Sequence, residues 1–267
     1  MTSISNNKEK IGDSYQFIVV EKIERIALIT VHRPKALNAL NRHVIAELQS
    51  AVDVLEQDQE VRVIIVTGDD RAFVAGADIK EMHGLSVTSA YETARAAHAL
   101  HNTMILSTKP VIAAISGYCL GGGMELALAC DIRIAGRNAV FGLPEIKLGI
   151  IPGGGGTQRL LSIVGPAVAS HLIFTGDSIS AERAYELNLV SEIADDPKAA
   201  AIELASRLAA GSKTALTAAK RLLQGQIQKA LDNRLQLEVD EFARLFDQPG
   251  SLEGMTAFME KRKPQFK

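Results

Sequence analysis

The chain has 267 residues, 47% of them hydrophobic, and a formal net charge of −2 at pH 7. That is enough apolar material for a sizeable core in one large domain or a domain with an appendage. The near-neutral balance excludes any general attraction to nucleic acid, and no apolar run reaches the roughly 20 residues that a membrane helix needs.

Residues 1–14 are polar and carry no arginine. They read as a disordered lead-in, unlike a secretory signal or transit peptide, which leaves the cytoplasm as the expected location. Phe17 to Val31 reads as two β-branched strands joined around Glu24-Arg25, and Asn41 to Leu55 repeats Val44, Leu48, Val52 and Leu55 at helical spacing. Val61 to Thr67 is a strand ended by Gly68. The loop that follows, Arg71 to Met82, turns into a helix whose first residues include Asp78, with small Ala75, Gly76 and Ala77 at the turn. Small residues there leave the Ala77 amide accessible.

A helix around Tyr91 to Ile105 carries His98 and His101 at i, i+3. With no third ligand suggested nearby, they read as a helix-surface pair and not as a metal site. Val111 to Ser116 is a strand, then Gly121-Gly122-Gly123-Met124-Glu125-Leu126 opens a helix, and Asp131 to Ala135 is another strand. The glycines clear the helix start, so an amide such as that of Gly122 can reach a ligand oxygen. Two backbone donors from separate elements, Ala77 and Gly122, are what an oxyanion hole needs.

Pro144 fixes the backbone before Glu145, so Glu125 and Glu145 read as a paired acid/base site. Cys119 and Cys130 lack CxxC spacing and read as buried thiols. The run Gly153 to Gly156 lacks a Gly-Lys-Ser/Thr ending and reads as a tight turn ahead of a helix at Thr157. Ser180 to Asn188 is a short capped helix with Asn188 as its C′ residue, a place that favours the left-handed conformation, and Val190 to Ile193 is a brief strand. Helices over Pro197 to Ala210, Lys213 to Leu223, Gln228 to Phe246 and Leu252 to Lys261 then carry apolar faces that must meet the main domain or another subunit. Strands alternating with helices predict α/β layering.

Four segments together resemble the enoyl-CoA hydratase/isomerase (crotonase) family over nearly the whole length. They are Arg33 to Leu40, Ala75 to Met82, Gly121 to Leu126, and Pro144-Glu145 leading to Ile151 to Leu160, with Met255 to Arg262 similar to the family's C-terminal segment. The resemblance implies a crotonase-like spiral of ββα units over residues 15–195 that holds the active site. It also implies a C-terminal helical oligomerisation region over 196–267, building a homotrimer or homohexamer.

The implied activity is addition of water across the 2,3 double bond of an acyl-CoA thioester, in fatty acid (β-oxidation) or branched-chain amino acid breakdown. Coenzyme A would enter as part of the substrate, without other cofactor and without metal. Glu125 and Glu145 match the family's two glutamates, Glu125 to activate water and Glu145 to exchange the proton at the α-carbon; which is base and which is acid stays open. Lys35, Ala36 and Leu37, with Ala75, Asp78, Ile79 and Lys80, align with the family's substrate and coenzyme A contacts; either lysine also reads as a solvated charge. Leu143 stands where many short-chain hydratases have glutamine, which keeps a methylglutaconyl-CoA hydratase of leucine degradation as an alternative, and an enoyl-CoA isomerase as a further one. An RNA-binding role, known in a relative with a lysine-rich helix, finds no such helix at Ile79 to Gly84.

Overall fold

The computed structural model describes residues 8–10 and 15–266. Eleven strands form two sheets among these residues. The larger has the order β1-β2-β3-β4-β6-β8-β11 and the smaller the order β10-β9-β7-β5. From β4 to β9 the chain visits the two sheets in alternation. It enters through β1 (Lys8–Lys10), β2 (Ile18–Ile23), β3 (Ile26–Val31) and the helix α1 (Arg42–Gln57). The next turn is β4 (Val63–Thr67) in the large sheet, β5 (Ala72–Val74) in the small one, and helices α2 (Ile79–Met82) and α3 (Val87–Leu106). Then come β6 (Val111–Ile115), β7 (Tyr118–Leu120) and α4 (Gly122–Leu128), followed by β8 (Ile132–Gly136), β9 (Val140–Gly142) and α5 (Gly156–Thr175). This is a spiral of ββα units, as the resemblance implied.

The central strands β4 and β6 are buried along their whole length, so their sequences are continuous apolar runs with no alternation. One face of the large sheet packs on α1, α3, α4 and α5 in the main core. The other face is closed by α7 (Pro197–Ala209), whose Ala201, Ala205 and Ala209 sit on Leu28, Ile65 and Ile112. Before it, β10 (Ser178–Ser180) and α6 (Ala181–Glu186) lead into β11 (Glu192–Ala194). Asn188 ends that helical stretch at φ 58, the left-handed role expected of it. Asn41 caps α1, its Oδ1 accepting the Val44 amide at 2.9 Å.

Three expectations change. Lys8–Lys10 pair antiparallel with β2 where a disordered lead-in was expected, because β2 offers an otherwise open sheet edge; the rest of residues 1–14 lies outside the described residues. The two helices expected over Lys213 to Leu223 and Gln228 to Phe246 are one helix, α8 (Lys213–Leu245), since a single interior glycine costs a helix only about 1 kcal/mol. Finally, α9 spans Pro249–Met259. The two cysteines are free and buried as expected, and burial pushes the Cys130 thiol up to about 12. Among the described residues no helix is long and apolar enough to cross a membrane.

Candidate active site

The site forms where the small sheet meets the starts of α2, α4 and α5. Asn38 joins its first two segments: its side chain accepts the Arg33 amide at 2.8 Å and donates to the Ala72 carbonyl at 2.8 Å. A parallel bridge follows, with the Leu40 amide on the Gly76 carbonyl at 2.8 Å and the Asp78 amide on the Leu40 carbonyl at 2.7 Å. In such a bridge the amide of the middle residue, Ala77, points away from the partner strand. Gly122 is the first residue of α4, where amides have no carbonyl one turn earlier to bond. A Cβ built on Gly122 would stand 3.8 Å from the Ala77 nitrogen, so the two amides are neighbours.

Both glutamates are buried beside them. Glu125 projects from the first turn of α4 and its Oε1 accepts two amides, from Gly154 at 2.7 Å and Gly156 at 2.8 Å. Burial and the charge of Glu238 push its pKa up to about 7, against the opposing pull of those amides and of Arg159. Glu145 sits in the 3₁₀ turn Pro144–Leu148, which Gly149 ends in the left-handed region. Its Oε2 is buried with no hydrogen-bond partner among the described residues. Burial, then the nearby Glu125 charge, raises its pKa well above the usual carboxylate range. Gly121 is needed for this approach: at φ +49, a Cβ there would lie 2.9 Å from Glu145 Oε1.

Three further residues enter the site from elements the sequence reading placed elsewhere. His98 and His101 are buried, not on the helix surface, because α8 and the glycine loop ahead of α5 cover that face of α3. His101 Nδ1 lies 2.7 Å from the Gly154 carbonyl. Burial and the Arg159 charge hold this imidazole neutral, with a pKa of about 3. Since a carbonyl only accepts, Nδ1 carries the proton and Nε2 is the bare nitrogen. The third is Glu238, buried on α8, whose carboxylate accepts from the Thr157 amide at 2.9 Å, the Thr157 hydroxyl and the Gly155 amide. A signal for it existed: Glu238 shares the helical stripe of Leu231, Leu235 and Phe242, and a carboxylate on an apolar stripe must have polar partners waiting.

The other sequence candidates fall into two groups. Lys35, Ala36 and Leu37 lie in and just after the turn Pro34–Ala36, and the Ala75 amide donates to the Leu37 carbonyl at 3.1 Å. The structure therefore brings the Arg33 to Leu37 segment against Ala75 and Asp78. The side chains of Lys35 and Lys80 are exposed, whereas Asp78 is already paired with Arg33 at 3.0 Å. The run Gly153 to Gly156 is a turn, as expected, and it also supplies amides to Glu125 and Glu238. Among the described residues no cluster of three or more metal-ligating side chains is present.

A family profile described as enoyl-CoA hydratase/isomerase matches residues 21–267, and the chain belongs to that family. It is 41% identical to the crotonyl-CoA hydratase of Syntrophomonas wolfei over 95% of this chain and 98% of that protein. It is 44% identical to the mitochondrial enoyl-CoA hydratase of Pongo abelii, over 96% of this chain and 89% of that one. Among solved structures, an enoyl-CoA hydratase of Mycobacterium avium subsp. paratuberculosis superposes with a TM-score of 0.86 at 29% identity, covering 94% of this chain and 99% of that one. One from Bacillus anthracis does so with a TM-score of 0.77 at 38% identity, covering 94% and 99%.

Proposed function

We propose that Glu125 and Glu145 perform the reaction of this enoyl-CoA hydratase, the addition of water across the 2,3 double bond of an α,β-unsaturated acyl-CoA. An enoyl thioester is a weak electrophile until charge on its carbonyl oxygen is stabilised. The amides of Ala77 and Gly122 take that oxygen, and each such donor is typically worth about 3 kcal/mol of barrier. Because the oxygen gains charge along the reaction, they favour the enolate-like transition state over the ground state.

Glu125, ionised and held by two amides, orients a water and takes its proton as oxygen bonds to the β-carbon. Glu145, protonated, delivers a proton to the α-carbon. The product is the 3-hydroxyacyl-CoA, and one net proton transfer from Glu125 to Glu145 resets the pair. The observation that carries this reading is the unlike setting of two buried carboxylates: Glu125 Oε1 accepts two backbone amides, which favour the ionised form a base needs, whereas Glu145 Oε2 is buried without a hydrogen-bond partner among the described residues, which favours the protonated form an acid needs.

Coenzyme A comes with the substrate, and no further cofactor is needed because neither electrons nor hydride move. The Lys35 to Leu37 turn and the Ala75 to Lys80 segment take its nucleotide and pantetheine parts, the two lysines meeting phosphate. We place the enzyme in the cytoplasm, in fatty acid β-oxidation or branched-chain amino acid breakdown. It works as a homotrimer or homohexamer; the exposed Leu222, Leu223, Leu237, Leu252 and Phe258 on α8 and α9 support burial against a second copy.

The test is loss of the conjugated-thioester absorbance with crotonyl-, longer-chain enoyl- and 3-methylglutaconyl-CoA. Turnover that vanishes in Glu125→Gln and Glu145→Gln is expected, with kcat/KM ranking the acyl groups. Full turnover in both folded variants rejects the reading.

A further inference from the structure

The loop from Gly153 to Thr157 carries carboxylates on both sides. Its amides alternate: Gly154 and Gly156 donate to Glu125, while Gly155 and Thr157 donate to Glu238. Successive amides of an extended or turning backbone point to opposite sides, so one rigid strip of peptide serves two anions at once. The strip runs into the first turn of α5, where the helix dipole favours both negative charges. Glu125 belongs to α4 in the core, whereas Glu238 lies more than a hundred residues later on α8. The same helix also lays the Phe242 ring against Gly153, where a Cβ would stand 2.5 Å from Phe242 Cδ2.

We propose that Glu238 is a positioning residue for hydration: from the C-terminal helix it fixes the loop whose alternate amides hold Glu125 in place to activate water. This rests on the reading of Glu125 as the base. Without Glu238, the Gly155 and Thr157 amides lose their buried acceptor, the peptide planes on either side are free to rotate, and the two bonds to Glu125 lose their geometry. Catalysis is sensitive to such misplacement. Glu238 also contributes through its charge, which is one of the causes of the raised Glu125 pKa.

Several other charged or titratable groups face this cluster. His98 and His101 come from α3, Arg159 from α5 and Glu145 from the turn after β9. His98 Nε2 lies 3.3 Å from Glu238 Oε1, within ion-pair distance but off hydrogen-bond geometry. Arg159 donates to the Gly154 carbonyl at 2.7 Å, holding the loop from a third side.

Two substitutions separate the geometric role from the charge. Glu238→Gln keeps the shape, loses the charge and loses one acceptor. Glu238→Asp keeps the charge but withdraws it by one methylene. The full-length variants are assayed with crotonyl-CoA across pH, with folding followed by circular dichroism. Both are expected to lower kcat about tenfold, the worth of a charge-assisted hydrogen bond, with KM within about twofold. The acid limb of kcat moves to lower pH in Glu238→Gln only, because Glu125 then ionises more easily.

A merely structural role would lower the melting temperature and leave the acid limb and the kcat of the folded protein unchanged, and that result overturns the proposal. If Glu238→Gln does not fold, Thr157→Val removes one donor only; a roughly threefold fall in kcat is expected, and wild-type kcat overturns the proposal. Wild-type turnover that is lost in Glu125→Gln but indifferent to both Glu238 variants overturns the positioning role and leaves the hydratase reading standing. A wild type without turnover on any enoyl-CoA rejects the hydratase reading itself, and the positioning role with it.

Discussion

Glu125 and Glu145 are the same residue type, buried in the same cleft, yet their surroundings differ. The start of α4 and the glycine loop give Glu125 two amide donors. The turn after β9 gives Glu145 an oxygen with no hydrogen-bond partner among the described residues. Donated hydrogen bonds favour the ionised form, and their absence in a buried setting favours the protonated one. Two local backbones therefore set one side chain in two ways, and the proposed mechanism uses the first as base and the second as acid.

The largest expected effect breaks that contrast outright. Glu145→Gln and Glu125→Gln should each lower kcat on the order of 10³-fold while KM changes little, as befits general acid/base groups; initial rates from the thioester absorbance check this. Next is Gly121→Val, which puts a Cβ 2.9 Å from Glu145 Oε1 at a backbone φ of +49. A displacement of the carboxyl by about 1 Å should cost on the order of 10²-fold in kcat, and a crystal structure of the variant would locate the shifted side chain.

A stability measurement sharpens the same contrast without substrate. Glu125 has its pKa raised from 4.5 to about 7 in the folded protein. Between those values the folded state binds the proton more tightly than the unfolded one, so this group's contribution is full below pH 4.5 and is lost as pH rises towards 7. At about 1.4 kcal/mol per pKa unit, Glu125→Gln should remove a decline of about 3 kcal/mol. Urea unfolding at pH 5 and pH 7.5 should therefore show a flatter pH dependence in the variant. The smallest effect belongs to the exposed Lys35 and Lys80: alanine at either should raise KM only a few fold, as expected for screened surface charges, and leave kcat unchanged.

Legibility in the sequence followed locality. Asn188 was readable because a cap is written within a few residues of the helix end it serves. The central strands were readable from unbroken apolar runs. Strands β5, β7 and β9 were not, because three residues cannot display an alternation. The Gly121 and Pro144 motifs marked Glu125 and Glu145, since each carries its own backbone signature. His98 and His101 were misread because helical spacing shows which residues share a face but not what covers that face. Glu238 lay on a visible apolar stripe, yet its partners at Gly155 and Thr157 are some eighty residues earlier, and only the docking of α8 on α3 and α5 brings them together.

The separate roles of the two glutamates can be read from a reaction that needs only one of them. A saturated thioester, butyryl-CoA, has α-hydrogens to exchange and no double bond for water to attack. Its exchange with deuterated water, followed by proton NMR, should proceed in Glu125→Gln at nearly the wild-type rate and stop in Glu145→Gln. Exchange that survives in Glu145→Gln and stops in Glu125→Gln would contradict the division of base and acid.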